Sequence, residues 1–297
     1  MPAFPPERSW RKLLELSLEE DVGVGDVTSN LVIEPDRTGR AVLEAREDVV
    51  ACGLPIAQAV FEALDPGVRF EARVADGTSL TAGQVLAEVT GNLRALLAGE
   101  RTALNFLGRL CGVATWSRRF VEAVAGTGVR VVDTRKTLPG WRSLDKYAVN
   151  VGGADNHRSG LFDGILLKDN HLAIAGGVEP AVKAALAGAP AGLRVQVEVE
   201  TVEDAVVACD AGADFLLLDN CTPSELRAIV ARVGARALLE ASGGVGLANV
   251  RQIAETGVHR ISIGALTHSA PNADVALEIE LGAGNPIRSD TPGGVAR

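Results

Sequence analysis

The second half of the chain alternates short apolar runs with longer amphipathic stretches. The apolar runs are predicted strands, and they lie at residues 129–134, 164–169, 194–200, 214–220, 237–242 and 260–265. Apolar residues at helical spacing predict helices at residues 179–188, 201–212, 222–234 and 246–257. Apolar strands that alternate with amphipathic helices indicate a parallel sheet covered by helices. Because strand and helix together repeat about every 20–25 residues, the pattern favours a TIM-like α/β barrel, complete or open, over a doubly wound sheet.

The first half of the chain has a different pattern. Helical spacing predicts helices at residues 10–22 and 55–64, and the remainder of 40–91 reads as short strands broken by glycine and proline turns. Residues 93–126 predict one or two long helices that join the halves. We therefore predict an N-terminal domain of helices and strands at residues 1–112, completed by the tail at 272–297, and a barrel domain at 113–271.

Composition narrows the class of protein. A net charge of −9 with 47% hydrophobic and 23% charged residues indicates a globular chain, and the acidic balance argues against binding to nucleic acid. No apolar run approaches the roughly 20 residues of a membrane span, and the N-terminus lacks a signal-type apolar segment. We therefore expect a cytoplasmic protein without a membrane partner. Four widely spaced cysteines without a CxxC pair predict buried free thiols, not a zinc site or disulfides.

Residues 133–171 concentrate positive charge in this acidic chain. The stretch holds three of the five lysines and no glutamate. Its basic residues are Arg135, Lys136, Arg142, Lys146, His157, Arg158, Lys168 and His171. Arginine forks and lysine ammonium groups pair with carboxylate and phosphate oxygens. Because these residues are interleaved with glycine, threonine and apolar residues and follow no helical stripe, the stretch predicts a site for a small polyanion; the alternative is a solvated basic face.

Polar or glycine residues also close the predicted strands. The strand ends carry Thr134, Lys168, Glu198, Asp219, Ser242 and Gly264. In α/β barrels the carboxyl ends of the strands form the catalytic rim. The glycine-rich turns after the last two strands let backbone N–H groups approach a phosphate. Glu198 and Asp219, on adjacent strands, predict contact with Mg²⁺, or an ion pair with Lys168 or Arg135 instead.

Long motifs make the chain resemble quinolinate phosphoribosyltransferases. The motifs are LEEDVGVGDVTS, GERTALNFLGRLCGVAT, DTRKTLPGWRSLDKYAV, GGADNHRSGLFDGILLKDNH, VEVE, LLLDN, EASGG and IGALTHS, spread over nearly the whole chain. The resemblance implies an α/β fold, with an N-terminal α/β sandwich domain and a partly open TIM-like α/β barrel. It implies Mg²⁺-dependent transfer from phosphoribosyl pyrophosphate (PRPP) to quinolinate, giving nicotinate mononucleotide, pyrophosphate and CO₂ in NAD biosynthesis. It also implies a homodimer or higher homo-oligomer whose subunits share active sites.

The same motifs imply the site residues. The quinolinate carboxylates would be held by Thr134, Arg135, His157, Arg158 and Lys168. Lys136 would contact PRPP, and Glu198 and Asp219 would serve Mg²⁺, ribose and pyrophosphate, directly or through water. The 5′-phosphate would be held by Ser242, Gly243, Gly244, Gly264 and His268. Arg101 would reach the site of the neighbouring subunit. We expect the catalytic residues to be Lys136, Lys168, Glu198 and Asp219.

Other functions fit parts of the pattern. One alternative is a nicotinate phosphoribosyltransferase, or the molybdenum-locus relative of the same fold. Another is a non-catalytic sensor of phosphorylated ligands. The crowd of cations favours a diacid over nicotinate, and the presence of both Glu198 and Asp219 argues against a sensor. The chain has no GxSxG motif and no cysteine beside a histidine, so we predict no covalent nucleophile.

Overall fold

The structure is a computed structural model that describes residues 2–280, and it divides into two compact units. Among the described residues, a barrel unit comprises 2–13 and 109–272, and an N-terminal unit comprises 14–108 and 273–280. The predicted boundary lies between residues 112 and 113, whereas this division lies between Gly108 and Arg109 and groups residues 2–13 with the barrel. Both positions fall inside one continuous helix, so no turn in the sequence marks the boundary.

The N-terminal unit is built on an antiparallel sheet. Its strands are β1 (Thr38–Ala45), β2 (Val49–Val50), β3 (Arg69–Ala72), β4 (Ser79–Leu80), β5 (Val85–Asn92) and β12 (Val275–Glu280). Strands β12, β1, β5 and β3 form a four-stranded sheet in this order, and β2 pairs with β4. The strand β12 comes from the tail that we predict to complete this domain. Residues 281–297 of that tail lie outside the described residues.

Within the described residues, four α-helices precede the barrel strands. They are α1 (Arg11–Asp21), α2 (Val27–Val32), α3 (Leu54–Leu64) and α4 (Leu93–Ala123). The start of α2 is fixed by Asp26, whose side chain accepts a hydrogen bond from the Ser29 backbone N–H at 3.0 Å. The helical segment predicted at 93–126 is one helix, α4, of 31 residues. Within residues 2–280, no helix is both long and apolar enough to cross a bilayer.

The barrel unit contains a six-stranded parallel sheet. Its strands are β6 (Arg130–Val132), β7 (Ile165–Leu167), β8 (Val195–Val199), β9 (Phe215–Asp219), β10 (Leu238–Ser242) and β11 (Arg260–Ser262). All six strands predicted from the apolar runs are confirmed, with shorter bounds. The order in the sheet is β6-β11-β10-β9-β8-β7, so the first strand pairs with the last. Strands β6 and β7 do not pair with each other among the described residues, which makes the barrel partly open, as predicted.

A loop segment occupies the position beside β6 on its unpaired side. Asp155 forms a parallel bridge with Val132. The Asp155 N–H donates to the Val131 carbonyl at 2.9 Å, and the Asp133 N–H donates to the Asp155 carbonyl at 3.0 Å. Residues just after this bridge include His157 and Arg158. The backbone at the opening of the barrel is therefore held by strand-like hydrogen bonds, although the segment is not a strand.

Helices follow the barrel strands and cover the sheet. They are α5 (Arg142–Val151), α6 (Asp169–Ala175), α7 (Val178–Gly188), α8 (Val202–Asp210), α9 (Pro223–Val233), α10 (Val250–Ala254) and α11 (Ala265–His268). The helix predicted at 246–257 is too long. Residues 246–249 form a turn instead, in which the Gly246 N–H donates to the Asn249 side chain at 2.8 Å, so α10 begins only at Val250.

Alternation along the strands separates the core from the site. On β9, Leu216 and Leu218 are fully buried, whereas Leu217 and Asp219 lie on the opposite face and line a cavity. None of the four cysteines, all of which lie within residues 2–280, forms a disulfide; three are buried and Cys221 is half-buried. The strand pattern therefore directs apolar residues towards the helices and polar residues towards the barrel interior.

Candidate active site

A cavity of about 620 Å³ lies at the carboxyl ends of the barrel strands. The predicted site residues of the barrel unit all line it: Thr134, Arg135, Lys136, His157, Arg158, Lys168, Glu198, Asp219, Ser242, Gly243, Gly244, Gly264 and His268. The structure therefore brings together residues that are separated by up to half of the chain. Arg101 lies on α4 in the N-terminal unit, and its side chain is exposed. Its role in a partner's site stays a prediction.

A buried ion pair holds the loops on either side of the barrel opening. Asp133, just after β6, is fully buried, and the Lys146 ammonium of α5 donates to its carboxylate at 2.6 Å. The same carboxylate oxygen accepts the His157 backbone N–H at 2.7 Å. Burial raises the pKa of the Asp133 carboxyl, and the Lys146 charge opposes that rise. The pair thus fixes the backbone from which His157 and Arg158 extend.

Two arginines of the cavity, Arg135 and Arg158, lie close enough for their charges to interact. Arg158 donates to the Gly164 carbonyl at 3.0 Å. Burial lowers the pKa of the Arg158 guanidinium, and the charge of Arg135 lowers it further. Outside the cavity, Arg142 donates to the carbonyls of Arg135 and Ser159 at 3.3 and 3.0 Å, so it ties the two cationic loops together. Cations held this close favour a bound dianion.

The ring of His157 is held inside the protein by both nitrogens. Its Nδ1 accepts the Arg158 backbone N–H at 2.8 Å, so the ring proton lies on Nε2. Nε2 lies 2.9 Å from the Gln196 side-chain oxygen and 3.3 Å from Glu240 Oε1. The predicted contact between His157 and a substrate anion stays a prediction. The geometry adds a second task for this residue, which is to orient the backbone of Arg158.

Beneath the cavity, Glu240 of β10 is fully buried. Within the described part of the chain, neither of its carboxylate oxygens has a hydrogen-bond donor. The nearest cation is Arg260, whose Nε lies 3.3 Å from Oε2. Buried carboxylates without donors are rare in folded proteins. Glu240 therefore places a buried carboxyl group at the floor of the cavity, below the cations of the rim.

The carboxylates on the far side of the cavity come from β8 and β9. Glu198 lies 3.5 Å from the half-exposed Lys168 ammonium, so the ion pair considered as an alternative is present. Asp219 accepts a hydrogen bond from the Asn220 side chain at 2.6 Å. In residues 2–280, no group of three or more His, Cys, Asp or Glu side chains is arranged to hold a metal ion. Two carboxylates nevertheless fit Mg²⁺, which keeps waters and takes further oxygens from a phosphorylated substrate.

Glycines form the corner between β10 and β11. Gly243 has a φ of +93°, and a Cβ there would lie 2.2 Å from Asn220 Oδ1. At Gly264 a Cβ would lie 2.9 Å from Lys136 Cδ and 3.0 Å from His268 Nε2. Only glycine fits these positions without displacing a neighbour. The corner thus exposes backbone beside one lysine and one histidine, as a phosphate site requires.

Some residues of the cavity are absent from the predicted set. Leu166, Leu217, Asn220, Glu240, Val245, Ser262, Ile263 and Ala265 also line it. Strand alternation points to four of them, because each lies two residues before a predicted site position on its own predicted strand: Leu166, Leu217, Glu240 and Ser262. His171 does not line the cavity; its Nδ1 accepts the Lys168 backbone N–H at 3.0 Å, at the start of α6.

Comparison with protein families decides the lineage. The family model of the quinolinate phosphoribosyl transferase C-terminal domain matches residues 113–278, and that of the N-terminal domain matches residues 26–111. The chain belongs to the quinolinate phosphoribosyltransferase family. Relatives in this family include a probable nicotinate-nucleotide pyrophosphorylase (carboxylating) of Bacillus subtilis, 40% identical over 91% of this chain and 93% of its own. The Mycobacterium leprae nicotinate-nucleotide pyrophosphorylase (carboxylating) is also 40% identical, over 91% of this chain and 96% of its own.

Solved structures of quinolinate phosphoribosyltransferase relatives share the fold. NadC from Streptococcus pyogenes is 36% identical with a TM-score of 0.89, covering 93% of this chain and 98% of that one. Human nicotinic acid phosphoribosyltransferase is only 14% identical, with a TM-score of 0.65 over 90% of this chain and 75% of that one. That likeness shows a shared fold alone. The predicted fold class, an N-terminal α/β domain with a partly open barrel, is confirmed.

Proposed function

We propose that the chain transfers the phosphoribosyl group of PRPP to quinolinate and releases CO₂, giving nicotinate mononucleotide and pyrophosphate in NAD biosynthesis. One observation carries this most directly. In a protein with a net charge of −9, four cations line one cavity: Arg135, Lys136, Arg158 and Lys168. A dicarboxylate and a co-substrate with phosphate and pyrophosphate groups would balance these charges.

Quinolinate would occupy the side of the cavity next to the barrel opening. Arg135 and Arg158 lie close enough for each to feel the charge of the other. The two carboxylates of the substrate would relieve that repulsion, and Lys168 extends from the neighbouring strand end. Guanidinium groups also hold planar carboxylates in a fixed plane, which orients the ring nitrogen for attack.

PRPP would occupy the opposite side. Its 5′-phosphate fits the glycine corner, where Gly243, Gly264 and His268 lie beside the cavity. Lys136 runs across Gly264 and would meet the phosphate or pyrophosphate oxygens. Glu198 and Asp219 would face the ribose. Glu198 and Asp219 would hold Mg²⁺, which would supply charge stabilisation to the leaving pyrophosphate.

The chemistry then needs positioning and fixed charge more than a reactive side chain. The pyridine nitrogen displaces pyrophosphate at ribose C1, and positive charge develops on the sugar. The carboxylates of Glu198 and Asp219 stabilise that charge. The quaternised nitrogen next stabilises the electron pair that remains at C2 when the adjacent carboxylate leaves as CO₂, and C2 then takes up a proton. Cations around both substrate carboxylates favour binding of an acid that carries two carboxylates.

Two further features belong to this proposal. The enzyme would work as a homodimer or higher homo-oligomer, in which the exposed Arg101 of one subunit completes the site of another. It would act in the cytoplasm.

Mixed oligomers formed from Arg101→Ala and Lys168→Ala subunits should recover activity that neither variant has alone, because one site in the mixture is intact. Verified mixed oligomers without activity would contradict shared sites.

The test of the reaction is a direct assay. Purified protein is incubated with Mg²⁺, PRPP and quinolinate labelled in its 2-carboxylate, and both labelled CO₂ and mononucleotide are followed. We expect both products in equal amounts, and neither without PRPP. Turnover of nicotinate in place of quinolinate, without CO₂, would instead assign a nicotinate phosphoribosyltransferase. Binding of PRPP without turnover of either acid would favour a sensor.

An arginine variant links the assay to the cavity. Arg158→Gln should weaken quinolinate binding by about 2–5 kcal/mol, because the substitution leaves a substrate carboxylate unpaired. Arg236→Gln is the matched control, since that arginine is exposed and pairs with Asp210 on the surface at 2.6 Å. Unchanged quinolinate kinetics in Arg158→Gln would remove this residue from the acid-binding side.

A further inference from the structure

Thr267 is a fully buried hydroxyl residue that does not line the cavity. It belongs to α11, the short helix after the last barrel strand. Its Oγ1 donates to the Lys136 carbonyl at 2.8 Å, and the carbonyl of Gly264 in its own turn lies farther away, at 3.2 Å. A hydroxyl has one proton, so the shorter contact is the main bond. This bond joins the loop after the first barrel strand to the helix after the last.

The backbone of Thr267 is itself anchored. Its carbonyl accepts a hydrogen bond from Arg109 Nη2. The Arg109 guanidinium makes a two-pronged contact with Asp145, with N–O distances of 3.0 and 2.9 Å, and both side chains are buried. Paired and buried in this way, the arginine has little freedom to move. The Lys136 carbonyl is therefore hydrogen-bonded to a residue, Thr267, whose own backbone is held in place by Arg109.

The consequence lies at the glycine corner. The backbone N–H of Lys136 donates to Thr134 Oγ1 at 3.0 Å, so the backbone of this residue is held at both its N–H and its carbonyl. From that position its side chain passes over Gly264, where its Cδ would be 2.9 Å from a Cβ. The side chain of His268 approaches the same glycine. The hydroxyl of Thr267 thus sets the distance between the Lys136 chain and the backbone of this corner.

We propose that Thr267 is a positioning residue for the phosphorylated substrate: it fixes Lys136 beside the Gly264 corner without touching the ligand itself. The inference rests on the proposed use of PRPP. It predicts a selective effect, because the acid-binding arginines are held by other contacts, through Arg142 and the Asp133–Lys146 pair. Loss of the hydroxyl should therefore weaken PRPP binding and leave quinolinate binding almost unchanged.

The experiment compares Thr267→Val, which keeps the shape and removes the donor, with Thr267→Ser, which keeps the donor. KM for PRPP, KM for quinolinate and PRPP affinity by calorimetry are measured for each. We expect Thr267→Val to raise KM and Kd for PRPP about tenfold, since a displaced contact group of this kind costs about one order of magnitude or more. KM for quinolinate should stay within about twofold, and Thr267→Ser should lie near the wild type.

Thr256→Val is the matched control. Thr256 is also buried, and its hydroxyl donates to the Ile253 carbonyl at 2.7 Å within its own helical turn. The Thr256→Val variant should lose stability without a change in its KM for PRPP. If Thr267→Val does not fold, the pair Thr267→Ser and Thr267→Ala isolates the hydroxyl in the same way.

Three outcomes would overturn the inference. PRPP binding in Thr267→Val could equal that of the wild type. Quinolinate and PRPP could weaken together, as they would in a generally loosened barrel. Thr267→Ser could fail as badly as Thr267→Val, which would assign the effect to shape. An inactive wild type that also binds no PRPP would overturn the proposed function first, and this inference with it.

Discussion

Replacing Lys146 with methionine tests whether the buried ion pair beside the barrel opening is needed for stability. The side chain of Lys146 is 5% exposed and that of Asp133 is not exposed at all. Methionine has a similar length but no charge, so the Asp133 carboxylate would remain buried without its ammonium partner, and the His157 backbone N–H would still donate to it at 2.7 Å. Removing one partner of a buried pair costs about 3–5 kcal/mol.

That cost is large for this protein. Folded domains are stable by about 5–15 kcal/mol, so a loss of about 3–5 kcal/mol removes a large fraction of the stability. The double variant Lys146→Met with Asp133→Asn should recover much of the loss, because it carries no buried charge. Lys183→Met is the surface control: its ammonium contacts Glu179 at 2.6 Å, but its side chain is 63% exposed. It should cost less than about 0.5 kcal/mol.

The destabilisation caused by Lys146→Met should decrease as the pH falls. Burial raises the pKa of Asp133 above its ordinary 3.8, and the Lys146 charge opposes this rise. Without that charge, the folded-state pKa rises further above the unfolded value. The destabilisation is then complete above the folded-state pKa, shrinks as the pH falls through it, and disappears below the ordinary 3.8.

Urea unfolding of the wild type, both single variants, the double variant and the Lys183→Met control checks this at about pH 7.5 and about pH 5. We expect the loss in Lys146→Met to be smaller at the lower pH. A loss no larger than that of Lys183→Met, or one that grows on acidification, would refute the argument. The double variant separates charge from packing: if it is as unstable as Lys146→Met, the methionine itself fits poorly.

Three other substitutions address the rim of the cavity. Arg142→Lys should raise KM for quinolinate about tenfold in steady-state assays, because a lysine cannot make the forked contacts that join the two cationic loops. Gly243→Ala should lower Tm and weaken PRPP, since its Cβ would lie 2.2 Å from Asn220 Oδ1; Gly126→Ala has a similar positive φ with nothing within 4 Å and controls for backbone strain alone. Glu198→Gln should lower kcat about 100-fold and shift the Mg²⁺ titration to higher concentration, and an unchanged titration would argue against metal contact.

The strand ends could be predicted from the sequence because two patterns, the apolar runs and the alternation along each strand, agree there. Apolar runs place the strands, and alternation along each strand places Glu198 and Asp219 on the face away from the buried Val197 and Leu218. Parallel strands then bring their carboxyl ends to one edge, whatever the helices between them do. The positions of the site residues are therefore predictable from local pattern, while their partners are not.

Helix α5 shows why the rest could not be predicted. Residues 144–149 of this helix are all buried, and they include Asp145 and Lys146. A pattern of apolar positions cannot recognise such a buried helix, because charged residues normally mark the solvent side. They are buried only because Arg109 and Asp133 meet them from distant parts of the chain. His157 is similar: its neighbours suggest an anion contact, and only the fold shows that Gln196 and Arg158 engage its ring.

The opening of the barrel gives the charge arrangement a structural reason. In a closed barrel β6 would pair with β7, and the loop between them would be free to bulge outward. In this chain, the segment at Asp155 takes that place beside β6 and makes backbone hydrogen bonds to it. The two residues that follow in the cavity, His157 and Arg158, therefore extend from backbone almost as rigid as a strand. An open barrel thus gains a rigid edge for cations where a closed one would have had a flexible loop, and a dianion held there needs less ordering when it binds.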